Sequence, residues 1–172
     1  ARLGSKDEIF VDDSMMSSIP DVYGVGSISG KYPSDMMSQE QGKVAAENAM
    51  GKKRQLNREW VPEINRLVQN VGHVGCTIKS APQQGFHPVE GIYESAMFEG
   101  EIFKIVADKR TKLVVGAQII SSHAGELIPM ILLLIKKGIT VANLANSTSF
   151  EMTRFKEVSC AARACLQAIK SQ

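Results

Sequence analysis

Two strand-like runs joined by a turn decide the fold: EIFKIVADKRTKLVVGAQII, residues 101–120. β-Branched and other apolar residues alternate with polar ones in residues 101–107 and again in residues 113–120. The charged break at residues 108–111 between them is typical of a hairpin turn. Two similar runs, at about residues 68–78 and 91–97, come earlier in the chain. The four runs predict an antiparallel sheet, which we interpret as a meander.

Two helices are predicted after the sheet. The first, at about residues 124–137, has apolar residues on all its sides, so that one sheet face cannot cover it. Leaving half of it in water would forfeit on the order of 10 kcal/mol, comparable to the stability of a whole domain. We therefore expect its outer side to contact another subunit. The predicted interface residues are Leu127, Met130, Ile131 and Leu134. The second helix, at about residues 153–170, is amphipathic.

The first 51 residues differ in character from the rest. Residues 8–12 alternate like a short strand, and the apolar run at residues 22–26 predicts a buried strand that leads into a glycine-rich loop. A helix is predicted from about Ser34 to Met50, and Gly51 stops it. A basic, polar linker at residues 52–61 follows, so we predict one domain at residues 1–51 and another at 62–172.

The composition excludes several classes of protein. In 172 residues, 20 Lys and Arg stand against 18 Asp and Glu, and a net charge of +2 gives no indication of nucleic acid binding. The longest apolar run, residues 127–135, is far shorter than the roughly 20 residues of a membrane-spanning helix. Three cysteines are too few for a disulfide framework, so we expect a reducing cytoplasm. Because the chain begins without Met and enters a strand pattern at once, we expect a fragment or a processed product.

Several motifs stand in the order of a known family. AMFEGEIFKIVAD at residues 96–108, VGA at 115–117 and AGELI at 124–128 resemble the dimerisation domain of the flavoprotein pyridine nucleotide-disulfide oxidoreductases. Within that family they look most like dihydrolipoamide dehydrogenase. Upstream, SIPDVYGVG at residues 18–26, with the helix that ends before Gly51, resembles the family's second FAD-binding motif.

The resemblance implies an α+β interface domain, an antiparallel sheet backed by helices, preceded by a short remnant of an FAD domain. It implies the C-terminal part of a homodimeric oxidoreductase that uses FAD and NAD or NADP. The N-terminal FAD-binding turn, the redox-active cysteine pair and the nucleotide domain of the family do not occur in this sequence. We therefore expect the remainder of a parent enzyme as a partner, and no electron transfer or FAD binding by this chain alone. The segment 147–156 would reach the flavin region of the other subunit.

The positions that the resemblance assigns to the flavin depart from the family pattern. They are Gly26, Ser27 and Met36. Ser27 stands where the family has an Asp whose carboxylate accepts hydrogen bonds from the ribityl chain of FAD. A hydroxyl accepts one such bond but lacks the charge and the second oxygen of the carboxylate. Met36 stands where many members have a His near the flavin.

The family's catalytic His–Glu dyad is also replaced. Counting without gaps places Glu151 at the His position and Lys156 at the Glu position, whereas a shift of three residues places Thr148 and Thr153 there. No His occurs after His123, so the proton relay of the family is lost in either register. An acid–base role for Glu151 and Lys156 is one interpretation, but we favour a solvated ion pair.

Cys160 and Cys165 have the spacing of the family's redox pair. On a helix these positions point about 140° apart, so we interpret both as small buried apolar residues. The three histidines show no metal-ligand spacing, and no metal is predicted. Two alternatives stay open: a stand-alone homodimerising interaction module without cofactor or catalysis, and a small thiol redox protein that uses these two cysteines.

Overall fold

The chain divides into two compact units, Ala1–Glu63 and Ile64–Gln172. The computed structural model describes residues 1–5, 7–31, 34–147 and 153–171. The N-terminal unit contains helix α1 (Asp35–Ala49). The strands of the sheet are β1 (Glu63–Asn65), β2 (Val71–Gly75), β3 (Pro88–Glu94), β4 (Ile102–Asp108) and β5 (Val114–Ile120). The helices of the C-terminal unit are α2 (Ala124–Lys136), α3 (Val141–Ala145) and α4 (Phe155–Lys170).

In the N-terminal unit the predicted helix is confirmed and the predicted strands are wrong. Ser34 caps α1, because its hydroxyl accepts a hydrogen bond from the backbone N–H of Met37 at 3.1 Å. The run at residues 22–26 makes only an isolated bridge from Tyr23 to Met16, and Val22 is 41% exposed. Residues 8–12 likewise form isolated bridges. The turn at Asp21, with φ of 64°, and Gly26, with φ of 72°, leave too few extended residues for a ladder.

The sheet has the strand order β1-β2-β5-β4-β3. The pairs β3–β4, β4–β5 and β2–β5 are antiparallel, and the predicted hairpin between β4 and β5 is confirmed. The interpretation as one continuous meander is wrong, because β2 pairs with β5 instead of with β3. The connection from β2 to β3 therefore passes to the other side of the hairpin, and Ala81 within it packs with Cys76, Val106 and Val115.

Two helices cover one face of this sheet. α2 packs against β2 and β5, and α4 packs against β3 and β4. Glycines in the strands allow this close approach: a Cβ at Gly72 would press on Ile128 of α2, and one at Gly91 would overlap the backbone of α4. The α+β class and the antiparallel sheet backed by helices are therefore confirmed.

Helix α2 is divided into a buried and an exposed side. Leu127 and Ile131, two of the predicted interface residues, are 4% and 0% exposed within the chain itself. Met130 at 43% and Leu133 at 59% point outward. Because Leu127 and Ile131 already belong to the core of this unit, the apolar surface that α2 leaves open is centred on Met130 and Leu133.

Asp108 closes the hairpin between β4 and β5. Its side chain accepts hydrogen bonds from the N–H of His87 at 2.7 Å and from the N–H and hydroxyl of Thr111 at 2.9 and 2.7 Å. Burial by itself raises the pKa of this carboxyl, but these hydrogen bonds and one from the backbone of Arg110 outweigh it. The result is a pKa of about 2, lowered from 3.8.

We expect this carboxylate to govern part of the acid stability. Because its pKa is lower in the folded state, Asp108 stabilises the fold above pH 3.8 and loses that effect as the pH falls towards about 2. Asp108→Asn should remove on the order of 2 kcal/mol of acid-dependent stability. The measurement is the free energy of unfolding in urea between about pH 6 and pH 2. Glu94→Gln, at an exposed carboxyl on β3, is the control. An Asp108→Asn protein with the pH dependence of the unsubstituted chain would contradict this.

Candidate functional site

The glycine-rich loop after residue 23 is held against the first half of α1. The N–H of Gly26 donates a hydrogen bond of 2.7 Å to Oε1 of Gln41, a fully buried side chain. The amide nitrogen of Gln41 donates in turn to the carbonyl oxygen of Lys31 at 2.9 Å. The hydroxyl of Ser29 donates to the carbonyl oxygen of Gly26 at 2.8 Å. These bonds fix the conformation of the loop without a ligand.

Ser27 and Met36, two of the predicted flavin positions, lie in this loop and at the beginning of α1. Ser27 belongs to a short 3-10 turn, Gly26–Ser29, and is exposed. Within the described contacts its hydroxyl makes no hydrogen bond, so it is available to a ligand as one neutral donor and acceptor. Met36 is half-buried in the first turn of α1. The loop can thus offer a ribityl hydroxyl one hydrogen bond from Ser27, but no carboxylate.

The predicted dyad positions are only partly described. Glu151 and Thr148 lie outside the described residues. Lys156 is in the first turn of α4 and is exposed, with no ion pair among the described side chains. The proposed pairing of Glu151 with Lys156 therefore stays a prediction.

A buried ionic cluster, which the sequence analysis missed, lies at the beginning of α4. The guanidinium of Arg154 is 3.3 Å from Oε2 of Glu101 and 3.7 Å from Oε1 of Glu157. The side chains of Glu101 and Glu157 are only 6% and 10% exposed. Arg154 and Glu157 are three residues apart on a helix, a spacing at which ion pairs form and which the sequence shows. Glu101 is 53 residues away from Arg154, so the sequence gives no indication of this second pair.

Other groups complete this cluster. The hydroxyls of Ser121 and Ser122 lie 2.9 and 3.4 Å from Oε1 of Glu101, and the Arg154 guanidinium stacks 3.2 Å from the ring centre of Phe98. Oε2 of Glu157 is buried and has no hydrogen-bond partner. Because two carboxylates share one guanidinium, Arg154 is the group that makes their burial tolerable.

The two cysteines of α4 do not pair. Cys165 is buried, and its thiol donates to the carbonyl oxygen of Val89 at 3.3 Å. Burial raises the pKa of this thiol to about 11, so it is not a thiolate at neutral pH. Cys160 is only half-buried, contrary to expectation, and its sulfur accepts a hydrogen bond from Arg163 at 3.1 Å.

Among residues 1–5, 7–31, 34–147 and 153–171, no three His, Cys, Asp or Glu side chains are grouped so that they could hold a metal ion. No helix among these residues combines the length and the apolar character needed to cross a bilayer.

Comparison with known proteins identifies the family. Residues 68–159, more than half of the chain, match the family model of the pyridine nucleotide-disulphide oxidoreductase dimerisation domain. The matched region includes β2 to β5, all of α2 and α3, and the beginning of α4. The chain therefore belongs to the pyridine nucleotide-disulfide oxidoreductase family and carries its dimerisation domain.

Among the relatives are two kinds of oxidoreductase. A dihydrolipoyl dehydrogenase of Chlamydia muridarum is 32% identical over 138 residues, which cover 76% of this chain and 30% of that protein. A mercuric reductase of Bacillus cereus is 29% identical over 162 residues, which cover 88% of this chain and 26% of that protein. The chain thus spans roughly a quarter to a third of the length of the relatives it matches.

Solved structures show the same fold. LpdA of Mycobacterium tuberculosis aligns with a TM-score of 0.80 at 20% identity, over 94% of this chain and 37% of that one. A NAD-dependent persulfide reductase of A. fulgidus aligns with a TM-score of 0.68 at 20% identity, over 99% of this chain and 36% of that one.

Proposed function

We propose that this chain is the C-terminal portion of an FAD-dependent pyridine nucleotide-disulfide oxidoreductase similar to dihydrolipoamide dehydrogenase. Residues 1–51 would be the tail of the FAD domain, residues 52–61 a linker and residues 62–172 the homodimerising interface domain. The redox-active disulfide and the domain for NAD or NADP belong, in this proposal, to the remainder of the parent enzyme. The free cysteines suit a reducing cytoplasm, where we place the protein.

The match of residues 68–159 to the dimerisation domain is the observation that carries this proposal. The outward side of α2 supports it, because Met130 and Leu133 leave an apolar surface open beside the half-buried Leu134. Apolar side chains grouped in this way are typical of surfaces that another subunit covers. We propose that two copies of the chain bury them against each other.

Leu133→Glu tests the homodimer. The side chain is 59% exposed, so the substitution should leave the fold of the unit intact while it places a charge in an apolar interface. We expect the dimer measured by sedimentation velocity to dissociate to monomer, with at least about a tenfold rise in the dissociation constant. Asn143→Glu, an exposed position on α3, adds the same charge outside α2 and should leave the dimer unchanged. A Leu133→Glu protein that stays dimeric would remove this side of α2 from the interface.

We further propose that the flavin in the parent enzyme contacts the loop at Gly26 and Ser27 and the first turn of α1 at Met36. The exposed, unpartnered hydroxyl of Ser27 supports a weakened contact with a ribityl hydroxyl. The flavin itself would supply the electron transfer, and this loop would only position it. An uncharged contact at this point is expected to lower flavin affinity relative to a carboxylate.

Ser27→Asp tests this contact. A carboxylate at this exposed position would accept a charge-assisted hydrogen bond, so the affinity of the flavin-free parent enzyme for added FAD should rise by about tenfold, followed through the flavin fluorescence. Ile28→Asp places the same charge one residue further along the same turn, at a side chain that is 52% exposed, and should have no such effect. An equal response of both variants, or of neither, would favour the alternative, a homodimerising module without cofactor or catalysis.

A further inference from the structure

A cleft of about 400 Å³ lies in the N-terminal unit at the C-terminal end of α1, the end opposite Met36. Met16 and Tyr23, which are joined by a backbone bridge, contribute an apolar and aromatic side. Residues 52–55 contribute a basic and polar side. The volume is at the lower end of the range of about 300–1,000 Å³ that is usual for small-molecule sites.

The cleft is preformed, because hydrogen bonds of the Asn48 side chain connect its two sides. The amide nitrogen of Asn48 donates to the carbonyl oxygen of Ser14 at 2.9 Å and to that of Arg54 at 2.7 Å. Its carbonyl oxygen accepts from the N–H of Arg54 at 2.7 Å. A ligand would therefore meet fixed walls and would cost little ordering entropy on binding.

Of the three cationic side chains around the cleft, Lys53 is the one without an ion pair among the described residues. Arg54 forms ion pairs with Glu40 and Glu47 of α1, and the ammonium of Lys52 is 3.8 Å from Glu47. Lys53 has no ion pair among the described side chains. Among the described residues, the side chains that line the cleft include Lys52, Lys53 and Arg54 but no carboxylate, so Lys53 remains to attract an anion.

We propose that this cleft binds a phosphorylated ring compound of nucleotide size, with its ring on Tyr23 and its phosphate at Lys53. An aromatic side chain offers a stacking surface to a planar ring, and a lysine ammonium binds phosphate as a point charge. The hydroxyl of Tyr23 makes no hydrogen bond in the described structure and is a further polar partner. This site goes beyond the proposed flavin contact and does not depend on it.

Isothermal titration of the chain with adenosine monophosphate tests the proposal, with adenosine and inorganic phosphate as partial probes. We expect saturable binding of the nucleotide that is tighter than that of either part and that weakens as salt is added. Lys53→Glu should weaken it by about tenfold. Lys79→Glu, an exposed lysine of the C-terminal unit with no ion pair in the described contacts, is the matched control and should change it less than about twofold.

Three results would overturn the proposal. They are the absence of saturable nucleotide binding, an equal loss in the Lys53 and Lys79 variants, and adenosine binding as tightly as the nucleotide. Tyr23→Leu separates the two contacts, because it should weaken nucleotide and adenosine while leaving the affinity for inorganic phosphate unchanged. Far-ultraviolet circular dichroism of each variant establishes that it is folded.

Discussion

Arg154→Met should lower the free energy of unfolding of the C-terminal unit by about 3–5 kcal/mol. The substitution leaves the carboxylates of Glu101 and Glu157 buried without their shared guanidinium, and it removes the cation from the face of Phe98. An unpaired charge in such a place costs more than the ion pair contributes, so the effect should far exceed that of a surface ion pair. Urea denaturation followed by circular dichroism measures it.

A triple variant separates the two possible causes of this destabilisation, the unpaired buried charges and the lost packing of the Arg154 side chain. Adding Glu101→Gln and Glu157→Gln to Arg154→Met removes both buried charges, so the triple variant should recover more than half of the lost stability. Lys156→Met, at an exposed lysine in the same helical turn, is the control and should stay within about 0.5 kcal/mol of the unsubstituted chain. A triple variant no more stable than Arg154→Met would show that the buried charges are not the source of the loss.

Gly91→Ala should destabilise the unit by about 3 kcal/mol or more, the upper end for overpacking. A Cβ at this position would overlap the backbone nitrogen of Cys165 and the carbonyl oxygen of Ala161, so α4 would have to move away from β3. The thermal midpoint should fall accordingly in a calorimetric scan. Gly125→Ala, in α2 with open space around it, should be neutral or slightly stabilising.

A second variant shows whether backbone or side chain is responsible. Because the overlapping atoms belong to the backbone of α4, shortening the neighbouring side chain with Cys165→Ala should not restore the Gly91→Ala protein. Restoration by Cys165→Ala would contradict this explanation and would indicate a side-chain clash.

The local pattern of the sequence was enough for most elements of the C-terminal unit. The alternation of apolar and polar residues predicted the strands, and the charged residues 108–111 predicted the hairpin turn. Both patterns could be used because strands and turns depend mainly on residues that are close in sequence. The pairing of β2 with β5 was not predicted, since alternation indicates a strand but not which strand lies beside it. The short elements β1 and α3 were not predicted, because three and five residues are too few to show a periodic pattern in the sequence.

The candidate sites were less predictable than the fold. The family resemblance assigned Gly26, Ser27 and Met36 to the flavin. It could not show that the N–H of Gly26 already donates a hydrogen bond to the side chain of Gln41. The cluster around Arg154 joins groups that are up to 53 residues apart, so only the folded chain brings them together. Residues on α2 were assigned to an interface from the family resemblance and from apolar residues on all sides of the helix, and neither separates the buried Leu127 from the exposed Leu133.

The contact between β3 and α4 has a consequence for biosynthesis. The thiol of Cys165 in α4 donates a hydrogen bond to the carbonyl oxygen of Val89 in β3, which is 76 residues earlier in the chain. During translation, therefore, the face of β3 that α4 covers stays exposed to solvent until α4 has been made, and β3 is also an edge strand of the sheet. Contacts between such distant residues form slowly, and an uncovered strand edge can pair with another nascent chain. We therefore expect this domain to be most prone to aggregation in the interval before α4 emerges, when chaperones would help it most.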